Sequence, residues 1–285
     1  MPASSLLRIS LVRDRLYVEV VVAMKKLRIL LTNDDSIYAP GLAVLWDALQ
    51  DIAEVDVVAP DRERSATGHG ITVDQPLRAE RISMFDGRAW AVNGTPADCV
   101  KLAISCLLKE RPDLVIAGIN RGPNLGIDVL YSGTVSGALE GLISGIAALA
   151  VSVTDYHSPD YRYAASFTRK LAPLVVENGF CRDSLLNINV PSLPPEQIRG
   201  VKVTRLGNRK YVNCFETRTD PRGRAYYWLG GDVIDVIDDS SEMDTDVATI
   251  RENMVSITPI HIDLTNYRAL NILKDLLGGL SGEEK

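Results

Sequence analysis

Two adjacent carboxylates, Asp34 and Asp35, follow directly on the aliphatic run Leu27-Arg28-Ile29-Leu30-Leu31-Thr32. Neighbouring carboxylates repel each other, and a chain that keeps both at one point commonly supplies a cation to relieve the repulsion. Oxygen donors select a hard ion such as Mg²⁺ or Mn²⁺ over zinc. One Asp here would read as the N-cap of the next helix; two in succession favour a metal.

Three more segments carry polar groups at comparable places. Pro60-Asp61-Arg62-Glu63-Arg64-Ser65-Ala66-Thr67-Gly68-His69-Gly70 is too polar for a core. Its hydroxyls can ligate a metal or a phosphate, Arg62 and Arg64 add positive charge, and a surface loop is the simpler reading. Ala117-Gly118-Ile119-Asn120-Arg121-Gly122-Pro123-Asn124-Leu125-Gly126 offers Asn120 as a neutral oxygen to complete the carboxylate set. Tyr131-Ser132-Gly133-Thr134 immediately precedes a helical pattern, so free amides and two hydroxyls form an anion pocket there. Taken alone, Ser132 or Thr134 is an N-cap. A metal beside an anion pocket suits phosphate-ester hydrolysis, because the ion polarises the phosphoryl oxygen and lowers the pKa of bound water. His69 is read either as an acid that assists the leaving group or, more simply, as a solvated loop histidine.

These loops gain meaning only if the elements between them bring them to one edge. Strands are expected at Leu27–Thr32, Val55–Ala59, Leu114–Ala117, Leu149–Val153 and Leu185–Val190, and helical segments at Leu42–Leu49, Ala97–Leu108 and Val135–Ala147. Short apolar strands alternating with helices predict an α/β fold, a mostly parallel sheet with helices on both faces. Such sheets bind ligands at the strands' carboxyl ends.

After Pro191-Ser192-Leu193-Pro194-Pro195 the pattern changes. Residues 199 to 231 alternate and contain the turn Asp220-Pro221-Arg222-Gly223, which predicts a β-hairpin arm. A strand at Val255–Ile260 and a helix at Tyr267–Leu277 follow. Arg199 to Arg224 holds eight basic residues and Asp232 to Asp246 seven acidic ones. The two blocks read either as a docking pair between subunits or as separately solvated surfaces. The expected organisation is an extension of unknown role at 1–23, a core at 24–198 and an oligomerisation region at 199–285.

With 31 Lys+Arg against 37 Asp+Glu, the net charge of −6 gives no global positive field for a nucleic acid. The uncharged stretch between Glu140 and Asp155 is shorter than the ~20 apolar residues of a membrane span and reads as core. Arg8, Arg13, Asp14, Arg15 and Glu19 interrupt what would be a signal peptide's apolar segment, which predicts a soluble cytoplasmic protein. Cys99, Cys106, Cys181 and Cys214 show no C-x-x-C pair, hence neither a zinc site nor a disulfide framework. Cys99 and Cys106, seven apart, are expected on one buried helix face.

Seven ordered segments resemble the SurE family: Leu30-Leu31-Thr32-Asn33-Asp34-Asp35, Ala59-Pro60-Asp61-Arg62, Asn93-Gly94-Thr95-Pro96-Ala97-Asp98-Cys99-Val100, Gly118-Ile119-Asn120 with Gly122 and Asn124, Tyr131-Ser132-Gly133-Thr134-Val135, Asn187-Ile188-Asn189-Val190-Pro191 and Val255-Ser256-Ile257-Thr258-Pro259. The resemblance runs from Met24 to about Asp263. It implies a Rossmann-like core with an exchanged C-terminal arm, a homodimer or homotetramer. It also implies a metal-dependent phosphatase of the 5′-nucleotidase type that acts on nucleoside 5′- and 3′-monophosphates, in some members also on short polyphosphate. By position, Asp34, Asp35, Ser65 and Asn120 would bind Mg²⁺ or Mn²⁺, with Asp34, Asp35 and Asn120 carrying catalysis. Asn33, Asn124, Ser132, Gly133 and Thr134 would surround the phosphate, and Gly94-Thr95-Pro96 would support the site. Two departures stand out: Ser36 and Ala66 occupy positions where the family usually has glycine.

Rival readings are a phosphoacceptor signalling domain and a non-catalytic nucleotide sensor. The first needs an acceptor Asp at a later strand end, where this chain has Asn120. A haloacid-dehalogenase phosphatase would want Asp-x-Asp spacing, which Asp34-Asp35 lacks.

Overall fold

The computed structural model describes residues 5–12, 15–22, 26–179, 183–212, 215–230, 232–236 and 244–278. Strands β1 (Ser5–Val12) and β2 (Arg15–Val22) pair antiparallel as a sheet of their own. The main sheet is built from β3 (Leu27–Thr32), β4 (Ala53–Pro60), β5 (Ala79–Ile82), β6 (Ala89–Val92), β7 (Leu114–Arg121), β8 (Ala147–Val153), β9 (Ser184–Val190), β10 (Val201–Val203) and, late in the chain, β15 (Val255–His261). Their order is β10-β15-β9-β8-β7-β3-β4-β6-β5. From β6 to β9 neighbouring strands pair parallel, whereas β5 and β15 join antiparallel at the flanks.

The six parallel strands β6-β4-β3-β7-β8-β9 repeat the doubly wound order 3-2-1-4-5-6, so the strand order reverses between β3 and β7. The predicted parallel α/β sheet is therefore present. Side chains alternate between two cores: Ile29, Leu31, Val57, Ala59, Leu114 and Ile116 face one, Leu30, Val58, Val115 and Ala117 the other. Helices α1 (Pro40–Leu49) and α4 (Arg162–Glu177) cover the first face with Leu42, Leu45 and Ala164. Helices α2 (Pro96–Leu102) and α3 (Gly133–Ile143) cover the second with Cys99, Val100, Val135 and Ala138. Burial on both faces explains why these strands read as aliphatic runs. Helix α3 approaches the sheet closely at Gly137, where a Cβ would lie 2.9 Å from Thr32 Cγ2.

Several boundaries differ from expectation. Helix α3 ends at Ile143, because Gly145 at φ +70° breaks the chain out of the helix and lets β8 begin at Ala147. Strand β7 runs past Ala117 to Arg121 through a register shift between Ala117 and Asn120, an irregularity that re-aims side chains. The segment after α2 winds as a π-helix at Ala103–Leu107, which breaks the seven-residue phase. Cys99 is accordingly buried and Cys106 exposed, not paired on one buried face. Cys181 and Cys214 lie outside the described residues.

The region expected as one hairpin arm is divided. Strand β10 enters the main sheet beside β15. Strands β12 (Phe215–Thr219) and β13 (Ala225–Leu229) form the predicted hairpin, closed by Gly223 N donating to Asp220 O at 2.9 Å. Strand β11 (Asn208–Val212) pairs with β14 (Asp232–Val236). Helix α5 (Asp246–Arg251) precedes β15, and α6 (Tyr267–Gly278) is exposed along most of its length. The basic and acidic blocks meet within the chain: Arg209 bonds Asp235 at 2.7 Å, and Lys202 lies 3.2 Å from Asp244. They are thus neither wholly reserved for a neighbouring subunit nor separately solvated. Among the described residues no helix is long and apolar enough to cross a membrane.

Candidate active site

The reversal of strand order puts the ends of β3 and β7 side by side; Asp34 and Asp35 follow β3, and Asn120 lies in the last part of β7, past its register shift. Neither Asp caps α1, whose N-cap is Ala39 with no side-chain bond. The capping alternative is thereby removed. Asp34 is buried, with Oδ1 accepting from Thr134 Oγ1 at 2.5 Å. Gly133 lies against it so tightly that a Cβ would stand 2.9 Å from Asp34 Oδ2. Asp35 Oδ2 accepts from the Arg121 backbone N–H at 3.2 Å.

Burial pushes the Asp34 carboxyl up to about 6, with Asp35 and Glu63 adding repulsion and the Thr134 hydrogen bond opposing. Burial also raises Asp35, with Glu63 adding to it and Arg121 opposing. The arginines expected to supply charge are turned elsewhere. Arg62 pairs with Asp61 at 3.0 Å, and the Arg64 guanidinium donates to Asn93 O at 2.6 Å. Two adjacent carboxylates are thus both desolvated and raised, and Arg121, which opposes the shift of Asp35, does not cancel it.

The other expected residues take the following places. Asn120 donates Nδ2 to Gly122 O at 2.8 Å, leaving its carbonyl oxygen as the atom free to ligate. Ser65 is exposed and donates Oγ to Glu63 Oε1 at 2.7 Å. Its loop is nevertheless tied to the site, since Arg64 N donates to Asp34 O at 2.7 Å. Asn33 is fully buried: Nδ2 is held by Ser36 O at 2.8 Å, and Oδ1 has no partner. Ser132 is the N-cap of α3, its Oγ accepting from Val135 N at 3.0 Å, while Thr134 and the Gly133 amide form the first turn beside Asp34.

Asn124 sits deeper. Its N–H donates to Asn189 Oδ1 at 2.8 Å, its Nδ2 to Ser152 Oγ at 2.8 Å, and its carbonyl accepts from Asn187 and Asn189. It braces the loop after β7 against the ends of β8 and β9. Thr95 and Asp98 form a capping box, and Asp98 also accepts from Thr72 N and Oγ1, so the Gly94-Thr95-Pro96 turn holds the Ser65 loop at its far end.

The site contains groups that the sequence did not single out. Glu63 and Arg121 border the carboxylates, and with Tyr161 and His157 they line a cavity of about 480 Å³ that opens on Asp35. Arg121 could have been found as the residue following Asn120. Tyr161 and His157 come from the loop after β8, for which no chemistry was expected. His69 is not merely solvated: its Nε2 lies 3.1 Å from Oε2 of the buried Glu140, which also binds Lys101 at 2.9 Å.

A divalent cation fits this donor set. The two raised carboxylates and the buried Asn33 Oδ1 without a partner are groups that a hard dication would satisfy. Among the described residues no three His, Cys, Asp or Glu side chains group as a metal cage, so neutral oxygens would have to complete the coordination.

A doubly wound sheet with an acidic, cation-seeking cluster at its switch point and a helix N-terminus beside it defines a phosphate-handling α/β protein. The profile of the family Survival protein SurE matches residues 29–213. The chain is 58% identical over 255 residues to the 5′-nucleotidase SurE of Heliobacterium modesticaldum, covering 89% of this chain and 93% of the relative. It is 52% identical to that of Carboxydothermus hydrogenoformans, covering 90% and 98%. The crystal structure of the SurE protein from Aquifex aeolicus superposes with a TM-score of 0.75 at 40% identity, covering 87% of this chain and 99% of that one. This chain belongs to the SurE family.

Proposed function

We propose that the chain is a divalent-metal-dependent phosphatase that hydrolyses nucleoside 5′-monophosphates, and also 3′-monophosphates and short polyphosphate. The observation that carries this reading is the pair of adjacent, raised and desolvated carboxylates, of which Asp34 accepts at 2.5 Å from the Thr134 hydroxyl in the first turn of α3. Relatives more than half identical to it are named 5′-nucleotidase SurE, which supports the substrate class.

Asp34, Asp35, Asn120 and Ser65 would hold Mg²⁺ or Mn²⁺. The ion, when bound, supplies Lewis acidity toward a phosphoryl oxygen and water acidified to serve as nucleophile near neutral pH. The chain's own residues do the positioning. Thr134 Oγ1 fixes the Asp34 carboxylate in one orientation, and the Gly133 and Thr134 amides face the non-bridging phosphate oxygens. Ser132 shapes that turn as its cap, Asn33 holds the backbone between the two acids and Ser36, and Asn124 keeps the loop of Asn120 in place. Burial of the pocket excludes bulk water and strengthens each of these contacts.

Assembly as a homodimer or homotetramer through the C-terminal region belongs to the same proposal, as does a cytoplasmic location. Phe215, Tyr227, Trp228 and Leu229 leave the β12–β13 hairpin with apolar surface exposed by 59 to 74%, as an arm reaching a second subunit requires. Phosphate release from AMP tests the catalytic reading. It is expected with Mg²⁺ or Mn²⁺, abolished by EDTA and restored by excess ion; no release with either ion would overturn it in favour of a sensor.

A further inference from the structure

The phosphate turn Ser132-Gly133-Thr134 is entered from a 3-10 helix at Gly126–Leu130. Tyr131 N donates to Asp128 O at 3.0 Å, so this short helix leads straight into the cap residue Ser132. A helix start receives phosphate only if its amides sit where the oxygens will be. The C-terminal region grips the 3-10 helix at two points. At its first residue, Gly126 N donates to Oδ2 of the buried Asp246 at 2.8 Å, and a Cβ on Gly126 would stand 2.6 Å from Gly207 O. In its middle, Asp128 accepts at 2.5 Å from Arg209 Nη1 and at 2.5 Å from the Tyr211 hydroxyl, both side chains of β11. The second grip carries charge. Arg209 lies directly opposite Asp235 in the pairing of β11 with β14 and bonds it at 2.7 Å, while Arg251 of α5 reaches the same carboxylate at 2.9 Å. The Arg209 and Asp128 side chains are 12% and 14% exposed, so water screens their contact less than that of a surface pair. A guanidinium that bridges two acids is a rigid fork, which sets the angle of its partners as well as their distance.

We infer that Arg209 is a positioning residue for phosphate binding: through Asp128 it holds the Gly126–Leu130 helix, and with it the Gly133 and Thr134 amides, where the substrate's phosphate is received. The inference rests on the phosphatase reading above and adds to it a residue of the C-terminal region that acts through Asp128 and not on the substrate. Amides that hold the phosphate equally in ground and transition state govern KM and leave kcat alone. The Arg209–Asp128 contact therefore controls how tightly the substrate binds, whereas the paired acids control turnover.

The test measures KM and kcat for AMP, and the rise in Tm on adding Mn²⁺, in Arg209→Met, Asp128→Asn and the double variant. In Arg209→Met, Asp128 keeps the Tyr211 hydroxyl and Asp235 keeps Arg251, so neither acid is left bare. KM is expected to rise roughly tenfold, within what a displacement of about 1 Å near the chemistry costs, with kcat and the Mn²⁺ effect unchanged. Asp128→Asn should raise KM in the same way. The double variant should be no worse than the worse single one, because the same contact is lost only once. Arg209→Lys keeps the charge without the fork and should give an intermediate KM; with Asp128→Asn it carries the measurement if Arg209→Met fails to fold. A lower Tm with KM unchanged, increases in KM that add in the double variant, or a loss confined to kcat would overturn the positioning role and leave the phosphatase intact. Absence of metal-dependent phosphate release from AMP by the wild type would overturn the phosphatase reading and this inference with it.

Discussion

The two ends of the central sheet treat charge in opposite ways. At the amino ends of the strands, Arg88 grips Asp56 with two hydrogen bonds of 3.0 and 2.8 Å, the Arg28 backbone N–H donates to Asp113 at 2.9 Å, and the Arg28 side chain pairs with Glu110. At the carboxyl ends, Asp34 and Asp35 lie together in a pocket that raises both, and Asn33 Oδ1 has no partner. The same sheet thus neutralises its charges where they serve stability and leaves them unsatisfied where it binds. An unpaired buried charge costs stability and persists only where something else repays it. In the proposed function the repayment is a cation.

Removing one member of the unsatisfied pair should break the contrast most strongly. Asp34→Asn is expected to lower kcat/KM by roughly three decades, since the ion supplies several kcal/mol of transition-state charge stabilisation. It should also abolish the thermal stabilisation that Mg²⁺ gives the wild type, about 2.7 kcal/mol at a hundredfold excess over Kd. Retained turnover would remove Asp34 from the ligand set. The metal-free protein tests the same carboxyl from the other side. Its folded pKa of about 6 lies above the unfolded value of 3.8, so the folded state binds the extra proton and stability rises as pH falls from about 7 toward 4. In Asp34→Asn this rise should shrink by on the order of 2–3 kcal/mol. Identical pH–Tm curves for the two proteins would contradict the desolvation of Asp34.

Next in size is Gly133→Ala. The added methyl would meet Asp34 Cβ at 2.7 Å and Oδ2 at 2.9 Å, forcing the carboxylate and the phosphate turn apart. A displacement of this kind near the chemistry costs about a hundredfold in rate, with a smaller stability loss of about 1–3 kcal/mol. Rates within error of the wild type would mean that the α3 turn does not hold the phosphate. At the opposite end of the strands, Arg88→Met should lower stability by about 1 kcal/mol, the partial exposure of the arginine keeping the figure small. Its kcat/KM should stay within roughly twofold, because the site is distant and shares no partner with it. A large kinetic effect there would erase the distinction between the two ends.

The sequence exposed the sheet and the acids for the same physical reason. Ile29, Leu30 and Leu31 are buried on both faces, so β3 reads as an uninterrupted aliphatic run, and Asp34-Asp35 is conspicuous where it ends. Helix α4 was missed because Arg162, Arg169, Lys170 and an internal Pro173 obscure its apolar face. Strands β5 and β6 are four residues each, too short to show a period. In the site, Asp34, Asp35 and Asn120 stood out because they end aliphatic strand runs and Ser132 to Thr134 because they open a helix, whereas the roles of Asn33, Ser65 and Asn124 came only from the family resemblance. Glu63, Arg121, Tyr161 and His157 did not stand out, since their proximity to Asp35 arises only when loops after β4, β7 and β8 meet at the switch point. The turning of Ser65 to Glu63 and of Arg64 to Asn93 O are likewise side-chain choices that spacing does not encode.

The smallest expected effect concerns the strain stored at the binding end. Ser36 adopts φ 104° and Ala66 φ 56°, in the left-handed region that favours glycine, at the two positions where the SurE family usually has it. Non-glycine residues held there cost on the order of 1–3 kcal/mol, and a glycine substitution recovers that while conceding about 0.4–1 kcal/mol to the freer unfolded chain. Ser36 is the sharper case, being further from the ordinary left-handed minimum near +57°. Its backbone carbonyl, which holds Asn33 Nδ2 at 2.8 Å, would remain available to a glycine. The hydroxyl accepts a long 3.4 Å contact from Tyr38 N. Ser36→Gly is therefore expected to raise Tm by a few degrees, about 1 kcal/mol, without lowering kcat/KM. If Tm falls instead, the loop after the paired acids is not strained but shaped around the serine, and the cost of the binding end lies in its charges alone.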